Sequence, residues 1–247
     1  MLPVDLDAAR LMALVLIFAM WSLYGPLLRT FGHGTLNAQL HVVRLRWMRM
    51  LMETHRENRV FDSILIGHLN GSMSFFGSAT LIVLAGLVGT LAGINKVHAS
   101  LVEMSFFPPI SLQLFTLYFS ALTFIIAVSF FSFAYAMRKL AYTLAMIGGL
   151  NEAKTSSAHS QVMIAQVAVV LTEALKSLNN GIRGYYFAVA ALFLFVGPLV
   201  AMVMTLAIAS ILMYRQGFST EALAIERYVE AMNAYEVERS TEGKNVI

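Results

Sequence analysis

The chain has 247 residues, 58% of them hydrophobic and 13% charged, with a net charge of +3 and no cysteine. Soluble domains carry about a quarter charged residues, and a mean hydropathy of +0.72 marks an integral membrane protein instead. The absence of cysteine excludes disulfides, thiolate metal sites and a cysteine nucleophile. The scattered basic residues flank apolar segments and read as membrane-orientation signals, not as a nucleic-acid surface.

Four apolar stretches predict four transmembrane helices at about 11–28, 64–92, 112–137 and 182–214. They are continuous rather than alternating, so they are not barrel strands. The first follows Asp5, Asp7 and a single Arg10. That is not the positive region of a signal peptide, so it is expected to remain as a span. The fold class is therefore all-α: one polytopic membrane domain over 1–247, with helical cytoplasmic extensions.

Orientation follows from the Lys and Arg positions. The loop from Arg29 to Asp62 holds six and the segment from Arg138 to Arg183 holds five of the seventeen. The positive-inside rule places both in the cytoplasm and both chain ends in the periplasm, with 215–247 as a periplasmic tail. Both loops read as helices, at about 38–61 and 138–181. In the first, Arg46, Arg49, Glu53, Arg56 and Glu57 share a face opposite Val43, Trp47, Met50 and Leu51. In the second, Met163, Val167, Val170, Leu171, Ala174 and Leu178 follow the spacing of a packed helix face. The third helix is expected to run on through Arg138 and Lys139 to a glycine cap near Gly148. Asn179 to Gly181 reads as a stop before the last span. Gly197 and Pro198 fall near the middle of that span, where proline kinks a helix.

The second span carries a ridge of small residues: Ser63, Gly67, Gly71, Ser74, Ser78, Gly89 and Gly93. Helices associate in lipid through close backbone approach, so this ridge serves either packing within the monomer or a subunit interface. His68 and Asn70 lie on the same span. Intramembrane polar groups face protein or water, which suggests either an interhelical hydrogen bond or a contact with a pore, proton or ligand. Asn58, Arg59 and Asp62 fall three and four apart at the mouth of the span, and Arg183 of the fourth span is a candidate neighbour. That cluster either locks the helices at the boundary or forms a polar gate. Tyr185 and Tyr186 suit the membrane interface. The remaining histidines lack metal-site spacing, and no nucleophile elbow, phosphate loop or dinucleotide fingerprint is present. No catalytic, cofactor or metal residues are assigned.

Glu57-Asn58-Arg59, Asp62, the Ser74-Phe75-Phe76 run, Arg183, Tyr185-Tyr186 and Tyr214-Arg215 together resemble the bacterial and plant membrane proteins of the domain of unknown function 599 family. The resemblance covers about Trp21 to Leu223. It implies a multi-pass protein of a bacterial inner membrane and brings no activity, substrate or cofactor. The leading expectation is a non-enzymatic protein in contact with membrane lipids that forms a homo-oligomer with a channel- or transport-like pathway. The alternatives are an accessory subunit of a larger membrane complex and an enzyme acting on lipid headgroups, for which Asp62, His55 and His68 are the available pieces.

Overall fold

The structure is a computed structural model that describes residues 3–31, 36–53, 60–103, 108–150 and 157–245. Among these residues there are helices and no strands. The helices are α1 (Ala8–Phe31), α2 (Leu36–Glu53), α3 (Val60–Ala92), α4 (Ile94–Glu103), α5 (Leu112–Gly149), α6 (Ala158–Leu192), α7 (Pro198–Gly217) and α8 (Thr220–Asn245). Five helical stretches are long and apolar enough to cross a membrane: Ala8–Leu27, Val60–Ala92, Leu112–Gly149, Ala158–Phe195 and Pro198–Glu238.

The spine is the antiparallel pair α5 and α6, of 38 and 35 residues. At 1.5 Å per residue each exceeds the ~30 Å hydrocarbon thickness by roughly 20 Å or more. Ser111 caps α5, its side chain accepting from the Leu114 amide at 3.1 Å. Asp5 holds the same turn: it accepts from the Ser111 amide at 2.8 Å and the Ser111 hydroxyl at 2.5 Å, with Arg10 at 3.3 Å. Partial burial works against the Asp5 charge. The Ser111 bonds and Arg10 outweigh it and hold the carboxyl below its ordinary 3.8. From this end α5 runs unbroken through Arg138 and Lys139 to Gly149.

Glycines decide how closely the helices meet. A Cβ added to Gly181 would lie 2.6 Å from Phe133 Cε1, and one on Gly184 would overlap Ser129 Oγ. A Cβ on Gly77 of α3 would lie 3.2 Å from Met137 Cε of α5. These positions let α6 and α3 seat against α5 where side chains would hold them apart. Asn179 to Gly181 is therefore not a stop: α6 passes through it, because Gly181 is used for interhelical contact instead of termination.

Two buried clusters result. One joins Ala13, Leu14 and Ile17 of α1 with Leu114, Tyr118 and Ile125 of α5, Phe187 of α6 and Ala201 of α7. The other joins Met48 and Leu51 of α2 with Met73 of α3, Phe133 and Leu140 of α5, and Ile164 and Leu171 of α6. Tyr185 packs against both. Its ring lies 5.7 Å from Phe133, which stacks on Phe76 at 5.6 Å. The Tyr185 hydroxyl hydrogen-bonds with Thr80.

The stretch 182–214, expected as one kinked span, is two helices that run in opposite directions. α6 ends in a 3-10 turn, Phe193–Phe195, and the amides of Val196 and Gly197 both donate to the Phe193 carbonyl at 3.1 Å. Gly197 adopts φ 159° and ψ 156°, a combination that residues with a side chain rarely take, and Pro198 opens α7. Proline has no amide to continue the ladder and bars its predecessor from helical geometry. α7 then returns along α6 and α1, until Leu212 and Arg215 line the same cleft as Asn179 and Arg183. The tail 215–247, expected on the opposite face, is largely α8, lying against α2 with Arg46 5.4 Å over the Tyr235 ring.

The two sets of glycines make a direct test. Gly184→Val should force α5 and α6 apart at Ser129 and cost about 1–3 kcal/mol, read as a fall in unfolding temperature of the purified protein. Gly67→Val meets nothing within 4 Å and should leave the monomer's unfolding temperature unchanged.

Candidate functional site

A cavity of about 530 Å³ opens between α1, α2, α6 and α7. Its walls carry four cationic residues, Arg44, Lys176, Arg183 and Arg215, and no carboxylate among the described lining residues. Apolar side chains, Leu36, Leu40, Leu175, Ile182, Leu212 and Ile225, complete it.

The four cations are not equivalent. Lys176 pairs with Glu173 at 3.1 Å, and Lys139 reaches the same carboxylate at 3.8 Å. Arg215 is exposed and acts electrostatically on Glu221. Arg44 has only neutral partners among the described residues: its guanidinium donates to the Asn37 carbonyl at 3.1 Å and to the Thr172 hydroxyl at 3.2 Å. Burial lowers the Arg44 pKa to about 10, which still leaves it fully charged at neutral pH. His41 Nδ1 and Asn37 Nδ2 contact the same residue, Thr172, at 3.0 and 3.3 Å, so α2 is pinned to α6 beside Arg44.

Arg183 lies half-buried with its guanidinium 5.2 Å from the centre of the Tyr24 ring, a cation–π contact. Gly25 provides the space: a Cβ there would lie 3.8 Å from Arg183 Nη1, so a larger side chain would displace the guanidinium. Tyr24 is 3% exposed. Its hydroxyl, Arg183 Nε and Asn37 Oδ1 are buried without a hydrogen-bond partner among the described residues. The Tyr24 hydroxyl and Arg183 Nε are thus donors beside fixed positive charge, with no acid among the described lining residues to receive them. Such a site suits an anion.

Of the candidate polar cluster, Arg183 alone belongs to this cleft among the described residues; Asn179, Tyr186 and Arg215, noted in the sequence for other reasons, line it as well. Asp62 sits elsewhere, accepting from Trp47 Nε1 at 2.6 Å across the α2–α3 corner. Asn58 and Arg59 lie outside the described residues. His68 and Asn70 are exposed on α3, where His68 borders a shallow hollow with Gly67, Gly71 and Phe75. Ser63 is exposed and donates to the Val60 carbonyl at 2.7 Å. Ser74 turns inward to Met137 Sδ at 3.7 Å, and Ser78 is exposed. Gly89 is exposed with open space around it, and Gly93 forms the joint between α3 and α4. The ridge therefore faces mostly outward. α3 buries only Met73, Gly77 and Thr80.

Tyr24, Gly25, Asn37, Arg44 and Thr172 were missed by sequence reasoning as site residues. The available signal was Tyr24-Gly25 at the end of the first apolar stretch, a small residue beside an aromatic where a neighbouring arginine could be received. Among the described residues no group of three or more His, Cys, Asp or Glu stands ready to hold a metal ion.

No curated protein and no solved structure matches the chain. A family model does, over residues 11–221, a range that holds Tyr24, Arg44, Arg183 and Arg215 together. The chain belongs to the family described as "Protein of unknown function, DUF599".

Proposed function

We propose that the chain is a multi-pass membrane protein that binds an anionic group in the cleft between α1, α2, α6 and α7, and that it acts by binding rather than by catalysis. The observation that carries this reading is the pair Arg44 and Arg183, partly buried in one cavity, each meeting only neutral groups among the described residues. Two desolvated guanidinium groups raise the local potential far above that of solvated surface arginines. The cleft offers no described carboxylate or histidine for proton transfer.

Five crossings fit the chain better than four. The reversal at Gly197 brings α8 to the α2 side, and all seventeen Lys and Arg residues except Arg10 and Lys96 then belong to that side. That side is the cytoplasm under the positive-inside rule, in a bacterial inner membrane. The amino end lies outside and the carboxyl end inside.

A second reading, self-association through α3, has its own support. Gly67, Gly71 and Gly89 have nothing within 4 Å of an added Cβ, and small residues are how helices approach in lipid. Two such faces would also shelter His68 and Asn70 from hydrocarbon. A homo-oligomer built this way would leave the cleft of each copy open, on the far side of α5.

Three measurements check these readings. Inorganic phosphate should stabilise the purified protein. At about a hundred times its Kd the gain is ~2.7 kcal/mol, a rise of roughly 5–10 °C for a chain of this size. Arg44→Gln with Arg183→Gln should abolish the rise; an equal rise in the double variant, or none with sodium chloride at matched ionic strength subtracted, sinks the anion site.

Because the chain has no cysteine, single-cysteine variants report cleanly on topology and assembly. Lys96→Cys should react with an impermeant reagent in sealed cells, whereas Arg49→Cys and Glu238→Cys should not. Labelling at Glu238 would restore an external carboxyl end.

Gly71→Cys should form a disulfide-linked dimer in native membranes, and Phe131→Cys on α5 should not. Equal cross-linking at both sites would leave α3 with no special role.

A further inference from the structure

We infer that the anion held in the cleft is the phosphodiester headgroup of an anionic lipid from the leaflet on the α2 side, with its acyl chains passing out between α1 and α7. This rests on the anion-binding reading of the same cleft and specifies the ligand.

The first argument is the shape of the lining. A site for inorganic phosphate needs donors on all sides and gains nothing from hydrocarbon walls. This cleft is mixed. Arg44, Asn37, Asn179 and Asn180 supply polar groups, while Leu212, Ile182 and Leu40 line the same cavity with hydrocarbon. A ligand that satisfies both must be amphiphilic.

The second argument is depth. Three helices change character at the cleft. The apolar part of α1 ends at Leu27, within a turn of Tyr24 and Gly25. α6 passes there from Lys176, Asn179 and Asn180 into the run that begins at Tyr185 and Tyr186. α7 changes at Tyr214 and Arg215. Aromatic and arginine side chains at such a change mark the headgroup level of a bilayer. The cleft therefore lies where lipid phosphates already are.

The third argument is access. Leu23 on α1 and Ile211 and Tyr214 on α7, next in sequence to the lining residues Tyr24, Leu212 and Arg215, are exposed apolar or aromatic side chains. A headgroup seated in the cleft would leave its chains against such residues. The phosphate arrives at Arg183, whose guanidinium shares its buried corner with the unpartnered Tyr24 hydroxyl. The phosphodiester supplies acceptors for both. The single negative charge of a phosphodiester offsets one of the two guanidinium charges of Arg183 and Arg44, whereas a zwitterionic headgroup brings a further cation to the pair.

The test uses the full chain purified in non-ionic detergent, loaded with phosphatidylglycerol or phosphatidylcholine at equal mole fraction. Bound lipid is counted by native mass spectrometry. Phosphatidylglycerol should be retained about tenfold or more over phosphatidylcholine, and Arg183→Gln should lose that preference. Gly25→Leu keeps every charge but fills the space beside Arg183, and it should lose retention as well. Arg215→Gln, at an exposed position, guards against loss through misfolding: it should fold and should weaken retention only about twofold to threefold. Equal retention of both lipids overturns the charge-selective lipid site. Stabilisation by inorganic phosphate without retention of phosphatidylglycerol overturns the lipid assignment while leaving the anion site standing. Neither effect in the wild-type protein overturns both.

Discussion

Gly197 and Pro198 decide where everything after them lies. Without the reversal, α7 would continue away from Asn179 and Arg183, and the cleft would lose its third wall. The turn is built to hold a free backbone: the Phe193 carbonyl accepts from two amides, Val196 and Gly197, as the helix tightens into a 3-10 turn. Gly197 supplies the backbone conformation and Pro198 needs no hydrogen bond at the first position of α7. The same reversal bears on the charge distribution in the proposed topology. A tail on the far side would place Arg215, Arg227, Arg239 and Lys244 against the positive-inside bias; a tail folded onto α2 follows it.

Glycine has two physical uses in this chain, and sequence spacing alone does not separate them. Gly77, Gly181 and Gly184 are buried against Met137, Phe133 and Ser129, and fix the distance between helices. Gly67, Gly71 and Gly89 carry the more recognisable four-residue spacing but face outward. A single helix wheel shows which glycines share a face. It does not show which face meets a neighbour, because that is set by the partner helix. The α5–α6 contact is made by glycines three apart, a spacing that went unmarked beside the more conspicuous ridge.

Much of the fold was legible because the hydrophobic solvent imposes it. Long apolar runs form helices, and the spacing of Val167, Leu171, Ala174 and Leu178 marked a packed helix face, although Met163, expected on that face, is exposed and Ile164 is buried in its place. The continuation of α5 past Arg138 was also readable, since nothing in that stretch breaks a helix. What escaped was direction. Proline inside an apolar run signals both a kink and a turn, and the 33 residues between Ile182 and Tyr214 are long for one span and short for two. The site escaped in part for the same cause. Arg183 stands alone in the sequence: Tyr24 and Arg44 reach it through the packing of α1 and α2 on α6, and Arg215 only once α7 has turned back. Asp62, its expected neighbour, is instead engaged by Trp47 on another face.

The contrast among the cations is what distinguishes a binding site from a structural one here. Lys139 and Lys176 converge on Glu173, and Lys139 also donates to Ser177 at 2.8 Å. They share a carboxylate within the protein, and Lys139 thereby ties α5 to α6. Arg44 and Arg183 are treated differently. A carbonyl, a hydroxyl and a ring face stabilise a guanidinium without cancelling its charge, so each retains a full unit to offer. Keeping such groups partly desolvated costs stability, and no described acid offsets it. A fold that needed only packing at these positions could use leucine, as it does at Leu40, Leu175 and Leu212 in the same cavity. Two uncompensated arginines among those leucines place an electrostatic demand on whatever enters, and the apolar wall sets the second demand. Together they make the cleft selective by charge and by hydrophobicity at one depth in the membrane.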